Sequence, residues 1–243
     1  MAIQAVLFDL DNTLTHHDQS VQAYSRHLLN HFNRQLLDAE DDATLSRTVE
    51  IIRRIDNGGY PKKEFLTHPS IAASVAQALI QELNWDVTPS LETLTEFWFE
   101  EFGLSAVAMT GAVELLEHLK QRNYKLAVIS NGGHATRLKI LQGLGFHQYF
   151  EEIFSSESVG IAKPNAEIFL HSCFQIQIEP QHCLYIGDHP VNDYQGATSV
   201  GLNALLLDGF HPKLNADRLD DQLHIPKDRV IQHLHEVLKY LDV

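Results

Sequence analysis

Two aspartates, Asp9 and Asp11, stand one residue apart directly after the apolar run 5–8. The run is apolar enough to form a strand that is buried on both faces. Side chains two residues apart point the same way in an extended chain, so both carboxylates would face one pocket at the carboxyl end of the strand. Two like charges so close repel each other and need a cation. A solvated loop with an Asx-turn at Asp11-Asn12 is the alternative interpretation.

Further polar segments occur along the chain at Ser130-Asn131-Gly132, at Lys163-Pro164, and at Gly187-Asp188 with Asp193. Right-handed crossovers bring the carboxyl ends of parallel strands to one edge of a sheet, so we expect these groups to converge with the two aspartates. Carboxylates without a cluster of cysteine and histidine suit Mg²⁺, which keeps several waters and takes a few carboxylates plus substrate phosphate. The chemistry that fits is phosphoryl transfer.

The chain between residues 15 and 102 has the periodicity of helices rather than strands. Apolar residues recur at helical spacing, and helices are predicted over residues 71–83 and after Ser90. The aromatic residues of the second of these helices are interpreted as internal packing: Phe97, Trp98, Phe99 and Phe102. We expect this segment to be a helical insert that lies above the carboxyl end of the first strand.

From Gly111 onward, short β-branched runs alternate with helical patterns. Strands are predicted over 125–129, 153–155, 183–186 and 204–207, and helices over 112–121, 135–144, 165–173, 193–199 and 228–241. In the first of these helices we expect Val113, Leu115, Leu116 and Leu119 to face inward. The predicted fold is α/β, with a Rossmann-like parallel sheet flanked by helices (residues 1–14 and 103–243) and an inserted all-helical cap domain (residues 15–102).

The composition restricts the partners. Of 243 residues, 18 are basic and 32 are acidic, which gives a net charge of −14. Such a balance argues against nucleic acid or an anionic membrane as the main partner. Any phosphate site must therefore be built locally, from a few basic groups, backbone N–H groups and a metal ion.

The location and the assembly state follow from weaker signals. The two cysteines, Cys173 and Cys183, are too few for a disulfide framework. The amino terminus carries no basic segment before its apolar run, unlike a signal peptide, and no apolar stretch approaches membrane-spanning length. We expect a cytoplasmic protein that is a monomer or a weak homodimer.

The four polar segments together resemble the motifs of the haloacid dehalogenase-like hydrolases, specifically the phosphatase branch with a helical cap. The motifs occur in the family order, as Asp9-Leu10-Asp11-Asn12-Thr13, Ser130-Asn131-Gly132, Lys163-Pro164, and Gly187-Asp188 through Asp193. The likeness covers nearly the whole chain. It implies a Mg²⁺-dependent phosphatase that acts on a small phosphomonoester.

The resemblance also implies a role for each residue. Asp9 would be the nucleophile that forms an aspartyl-phosphate, and Asp11 would protonate the leaving oxygen and then activate water. Lys163 would keep Asp9 ionised and bind the phosphate. The metal would be held by the carboxylates of Asp9 and Asp188 and by the backbone carbonyl of Asp11.

Other motif residues would bind phosphate or support the site. Ser130 and the backbone N–H of Asn131 would hold phosphate oxygens. Asp193 would orient metal waters or the lysine, and Thr13 and Gly132 complete the motifs. His189 could be a transition-metal ligand, but the other predicted ligands are oxygens, which argues against it.

Alternative functions use the same residues. A phosphosugar mutase would return the phosphoryl group to the substrate, and a catalytically silent binding module would keep the fold alone. A dehalogenase is disfavoured. A leaving halide needs no proton, and the dehalogenase branch carries an aromatic residue where this chain has Asp11.

Overall fold

The structure is a computed structural model that describes residues 2–209 and 225–241. Within these ranges a parallel sheet has the strand order β3-β2-β1-β4-β5-β6. The strands are β1 (Ala5–Phe8), β2 (Lys125–Ser130), β3 (Glu152–Ser155), β4 (Cys183–Gly187), β5 (Asn203–Leu207) and β6 (Val230–Ile231). The predicted α/β class, a parallel sheet flanked by helices, is confirmed.

The helices connect these strands or belong to the insert. The α-helices are α1 (His17–His31), α2 (Asp42–Asp56), α3 (Ile71–Glu82), α4 (Leu91–Glu101), α5 (Ala112–Gln121), α6 (His134–Gly143), α7 (Ser156–Val159), α8 (Ala166–Gln175) and α9 (Gly196–Thr198). Short 3₁₀-helices span Asn57–Gly59, Lys63–Phe65, His147–Tyr149, Pro180–His182, Lys227–Arg229 and Leu234–Tyr240, and Pro190–Gln195 is a π-helix. Among the helices of the described ranges, none combines the length and the hydrophobicity that crossing a bilayer requires.

Strand β1 lies between β2 and β4 and is fully buried. Its last residue, Phe8, is in register with Val128 of β2 and with Ile186 of β4. The chain therefore leaves β1 at Asp9 with the carboxyl ends of two other strands beside it. This position is a topological switch point, where α/β sheets bind ligands.

The chain forms two compact units. Of the described residues, one unit comprises 2–15, 108–138, 145–209 and 225–241, and the other comprises 16–107 and 139–144. The predicted boundaries, after residue 14 and before residue 103, differ from these by one and five residues. The predicted core domain also includes residues 1, 210–224, 242 and 243, which lie outside the described residues. That the two units are a catalytic core and a cap stays a prediction.

The segment 139–144 was predicted as core, yet it groups with the helical unit. Lys139 Nζ donates to the carbonyl of Phe99 at 2.9 Å and lies 2.6 Å from the carboxylate of Glu100. A Cβ atom added to Gly143 would lie 2.5 Å from the carbonyl oxygen of Gly103, so the two backbones are in close contact. This approach could not be read from periodicity, because it depends on glycines that are far apart in the sequence.

The helical unit has its own apolar core. Ser90 begins α4, as predicted, because its hydroxyl accepts from the N–H of Thr93 at 3.0 Å. Trp98 stacks on Phe102 with ring centroids 4.1 Å apart, and Tyr24 of α1 meets Trp98 edge-on at 5.1 Å. The aromatic residues of α4 thus pack internally as predicted, with the exception of Phe99, which is 48% exposed.

The carboxyl-terminal segment differs from its prediction as a helix over residues 228–241. Val230 and Ile231 form β6, which pairs in parallel with Leu206 and Leu207 of β5. Leu234–Tyr240 is a 3₁₀-helix, whose three-residue turn buries both Leu234 and Val237. The open edge of β5 supplies hydrogen-bonding partners that periodicity does not reveal, and these override the helical pattern.

Helix α5 has the predicted bounds, but one of its residues was assigned to the wrong face. Leu115, Leu116 and Leu119 are buried, whereas Val113 is 40% exposed. Val113 follows Ala112, which is itself buried, and consecutive residues on a helix lie on different faces.

We predict that Leu116→Ala lowers the free energy of unfolding by about 2–5 kcal/mol, because it leaves a cavity beneath α5. Val113→Ala removes a side chain from the exposed face and should change the free energy by less than about 0.5 kcal/mol. Urea denaturation followed by circular dichroism measures both. Similar losses in the two variants would contradict the assignment of faces.

Candidate active site

The ammonium group of Lys163 lies at the centre of the site. Its Nζ atom donates to Asp9 Oδ1 at 2.7 Å, to Asp193 Oδ1 at 2.6 Å and to the hydroxyl of Tyr185 at 3.0 Å. All four side chains are buried. An ammonium group has three hydrogens, so these three partners satisfy it completely. The structure thus brings together residues that lie 154 positions apart in the sequence.

Tyr185 and Asn131 hold the lysine in place. The Tyr185 hydroxyl lies 2.9 Å from Asp193 Oδ1 and 3.3 Å from the carbonyl of Ile129, so it links β4 to β2. The side-chain amide of Asn131 makes a reciprocal pair with the backbone of Lys163: Nδ2 donates to the carbonyl at 3.0 Å, and Oδ1 accepts from the N–H at 2.8 Å. This pair fixes the Lys163 backbone against the loop that follows β2.

Asp193 lies in the π-helix Pro190–Gln195 and is fully buried. Its Oδ2 atom accepts from the backbone N–H of His189 at 2.9 Å. The His189 ring caps the same helix, because Nδ1 accepts from the N–H groups of Val191 and Asn192 at 3.1 Å each. The structure therefore gives this ring a role in capping, and the described carboxylate cluster does not include it.

Asp9 is buried next to other carboxylates. Burial raises the pKa of its carboxyl group well above the usual range, and the charges of Asp193 and Asp188 raise it further, against the opposing effect of Lys163. Burial alone would lower the pKa of Lys163, but the carboxylates of Asp193 and Asp9 outweigh it, and that pKa is raised. The lysine is therefore charged, and the acidic side of the site favours additional positive charge.

Three carboxylates of the described residues could hold a cation: Asp9, Asp188 and Asp193 each offer an oxygen, and these oxygens lie within 4.8 Å of one another. Three carboxyl groups thus lie beside a single ammonium group, that of Lys163. An all-oxygen set of carboxylates is the kind of site that suits Mg²⁺. The donor set fits the metal that the sequence predicts.

Asp11 belongs to a different ion pair. Its Oδ2 atom accepts from Nη1 of Arg137, which lies on α6, and both side chains are mostly buried. The carboxylate of Asp11 is not a member of the Asp9, Asp188 and Asp193 cluster. The metal role predicted for Asp11 runs through its backbone carbonyl and stays a prediction. The alternative of a solvated loop is wrong, because Asp9 and Asn12 are both buried.

The remaining predicted residues lie at the ends of β1 and β2. Ser130 is the last residue of β2 and is buried. Thr13 is fully buried in the turn after β1, where its N–H donates to the carbonyl of Leu10 at 3.4 Å. Gly132 has φ +136° and donates its N–H to the hydroxyl of Ser156 at 2.9 Å. The structure therefore places all of these residues in the same unit as Lys163.

Two residues of this region were missed by the reasoning from sequence. Tyr185 sits in the middle of an apolar strand, where a buried hydroxyl needs a polar partner. Arg137 lies in the first turn of α6, where the helix dipole disfavours a cation, so it needs a carboxylate nearby. Each residue thus carried a local signal, but neither signal identified the partner.

The fold and the site define an α/β protein with a buried, cation-compatible acidic cluster at the carboxyl edge of a parallel sheet. A model of the haloacid dehalogenase-like hydrolases matches residues 3–201. The chain belongs to this family and is an enzyme of the hydrolase class, so the resemblance carried by the four motifs is confirmed.

Two curated proteins illustrate the relationship. Haloacid dehalogenase-like hydrolase domain-containing protein 3 of Mus musculus is 33% identical over 158 residues, which is 65% of this chain and 60% of that protein. Glyceraldehyde 3-phosphate phosphatase of Methanothermobacter thermautotrophicus is 25% identical over 240 residues, which is 97% of this chain and 100% of that protein. The second alignment spans both the sheet and the helical insert.

A solved structure supports the fold. The HAD-hydrolase YfnB from Bacillus subtilis, in a crystal form bound to magnesium, aligns over 100% of both chains with a TM-score of 0.68 and 23% identity. At this identity the likeness bears on architecture alone.

We predict that Gly187→Ala destabilises the protein by about 1–3 kcal/mol, because a Cβ atom there would overlap the carboxylate of Asp193. The added atom would lie 2.4 Å from Cγ and 2.6 Å from Oδ2 of Asp193. Gly133→Ala is the matched control, since its Cβ would approach other atoms no closer than 3.7 Å. Urea denaturation gives both values, and an unaffected Gly187→Ala variant would contradict the packing of Asp193 against Gly187.

Proposed function

We propose that this hydrolase is a Mg²⁺-dependent phosphatase that cleaves a small-molecule phosphomonoester through an aspartyl-phosphate intermediate. The observation that carries the proposal is the contact of Lys163 Nζ with both Asp9 and Asp193 in a buried cluster. A buried carboxylate that is paired with a lysine and lies among other carboxylates fits the role of an activated nucleophile.

In this mechanism Asp9 attacks phosphorus, and the leaving oxygen departs from the opposite side. Lys163 stabilises the ionised form of Asp9 and the charge that spreads over the phosphoryl oxygens. Asp11 protonates the leaving oxygen and then removes a proton from the water that hydrolyses the intermediate. Two steps with modest barriers replace one difficult displacement.

The loop after β2 would bind the transferred group. The Ser130 hydroxyl and the backbone N–H of Asn131 donate to phosphoryl oxygens, while the Asn131 side chain keeps Lys163 in place. Asp9 and Asp188, through their carboxylates, and Asp11, through its backbone carbonyl, would hold Mg²⁺, which when bound supplies positive charge to the phosphoryl group. Asp193 orients the lysine, and Thr13 and Gly132 support the two loops.

The substrate class is proposed from chemistry and from relatives. Proteins named glyceraldehyde 3-phosphate phosphatase align with 82–97% of this chain at 23–25% identity. These names support a small phosphosugar as the substrate. A cytoplasmic location and a monomeric or weakly dimeric state stay predictions.

We expect the purified protein to release phosphate from members of a panel of sugar phosphates, nucleotides and phosphorylated organic acids in the presence of Mg²⁺. Asp9→Asn keeps the shape of the side chain but removes the nucleophile, so its kcat should fall by more than about 1,000-fold. The measurement is inorganic phosphate release, with chromatography of the products to detect transfer back to the substrate, as in a mutase. EDTA should abolish release, and added Mg²⁺ should restore it.

Asp208→Asn is the matched control, because Asp208 is an exposed carboxylate directly after another strand of the same sheet, β5. It should retain wild-type turnover. No phosphate release from any member of the panel, or undiminished release by a folded Asp9→Asn variant, would contradict the proposal.

A further inference from the structure

A second ion pair, separate from the Lys163 cluster, joins α6 to the turn after β1. Arg137 Nη1 donates to Asp11 Oδ2, and the two side chains are 12% and 20% exposed. Arg137 is not part of the four motifs, and its position on α6 follows the loop that would bind phosphate. A mostly buried guanidinium in direct contact with the proposed acid and base is placed to affect its function.

The backbone of the loop makes room for this contact. Gly132 has φ +136°, and a Cβ atom there would lie 2.4 Å from Nη2 and 2.7 Å from Nε of Arg137. The Arg137 N–H also donates to the carbonyl of Gly133 at 3.1 Å, which sets the start of the helix. The guanidinium therefore lies against a residue that has no side chain, and a side chain at position 132 would overlap it.

The two cations divide the acidic groups of the site between them. All three donors of Lys163 are used by Asp9, Asp193 and Tyr185. Arg137 instead contacts Asp11. The nucleophile and the proton donor thus contact different cations, Lys163 in a loop and Arg137 on α6, and both cations belong to the same unit.

We propose that Arg137 is a positioning residue that orients the Asp11 carboxyl group towards the leaving oxygen. This inference rests on the proposed function, in which Asp11 donates the proton. The contact of Arg137 Nη1 with Asp11 Oδ2 restricts the directions in which the carboxyl group can turn, and general acid catalysis depends on that geometry. Removing the guanidinium would leave Asp11 in place but without this restraint.

The test compares leaving groups that differ in their need for a proton. An alkyl phosphate loses an alkoxide, which requires protonation, whereas p-nitrophenyl phosphate loses a phenolate that departs without it. In Arg137→Ala we expect kcat for the alkyl phosphate to fall about 10- to 100-fold with KM changed by less than about threefold. With p-nitrophenyl phosphate, kcat should fall by less than about threefold. Arg137→Lys keeps the charge but replaces the planar guanidinium with a flexible ammonium, so it should recover only part of the loss.

A double-mutant cycle tests whether Arg137 acts through Asp11. In an Asp11→Asn background, Arg137→Ala should cause less than about a twofold further loss on the alkyl phosphate, because the group it orients can no longer donate. Arg122→Ala is the matched control, since Arg122 is exposed at the end of α5 in the same unit. This variant removes the same charge and should leave kcat for both substrates unchanged.

Several outcomes would overturn the positioning role. They are equal losses on both substrates, a raised KM with unchanged kcat, and additive losses in the double mutant. Melting temperatures establish that each variant is folded, and Arg137→Gln replaces Arg137→Ala if the latter does not fold. The alkyl phosphate is a member of the panel that the wild-type enzyme hydrolyses, so an absence of release from every member overturns the proposed function and the positioning role with it. Wild-type turnover with an unaffected Arg137→Ala variant overturns the positioning role alone.

Discussion

The buried contact of Lys163 with Asp9 and Asp193 is the interaction on which the rest of the site depends. Moving charged groups out of water is costly, and this cost is met only when every group has a partner with good geometry. Here the ammonium has three acceptors, and Tyr185 and the backbone of His189 complete the network around Asp193. Loss of one partner would leave an uncompensated buried charge, so the buried network is stable only when all of its members are present.

The topology of the sheet explains how such distant residues meet. Because β1 lies between β2 and β4, the chain beyond it is flanked by the loop that carries Asn131 and by the loop that carries Asp188. Asn131 then fixes the backbone of Lys163, and the π-helix after β4 places Asp193 beside the ammonium group of Lys163. The sheet thus supplies the convergence, and loop hydrogen bonds supply the final geometry.

Much of the fold could be predicted, because parallel strands and amphipathic helices leave periodic patterns that need no knowledge of partners. The same patterns failed where a partner decided the outcome. Val230 and Ile231 form a strand because they pair with the edge of β5. Residues 139–144 belong to the helical unit, where Gly143 lies against Gly103. In the site, the aspartates after β1 and β4 and the segment Lys163-Pro164 were visible as polar segments of the sequence. The roles of Tyr185 and Arg137 were not, because each is defined by a side-chain contact with a distant segment.

Chemical trapping of the phosphorylated enzyme tests most directly whether the carboxylate paired with Lys163 is the nucleophile. The enzyme is mixed with substrate and Mg²⁺, quenched during turnover, reduced with borohydride and analysed by peptide mass spectrometry. An acyl phosphate is reduced to an alcohol, so we expect homoserine at position 9 and unmodified aspartate at position 11. Reduction at a different carboxylate would contradict this central claim. An unmodified Asp9 would also contradict it, provided that the enzyme is turning over and a phosphorylated protein is detected.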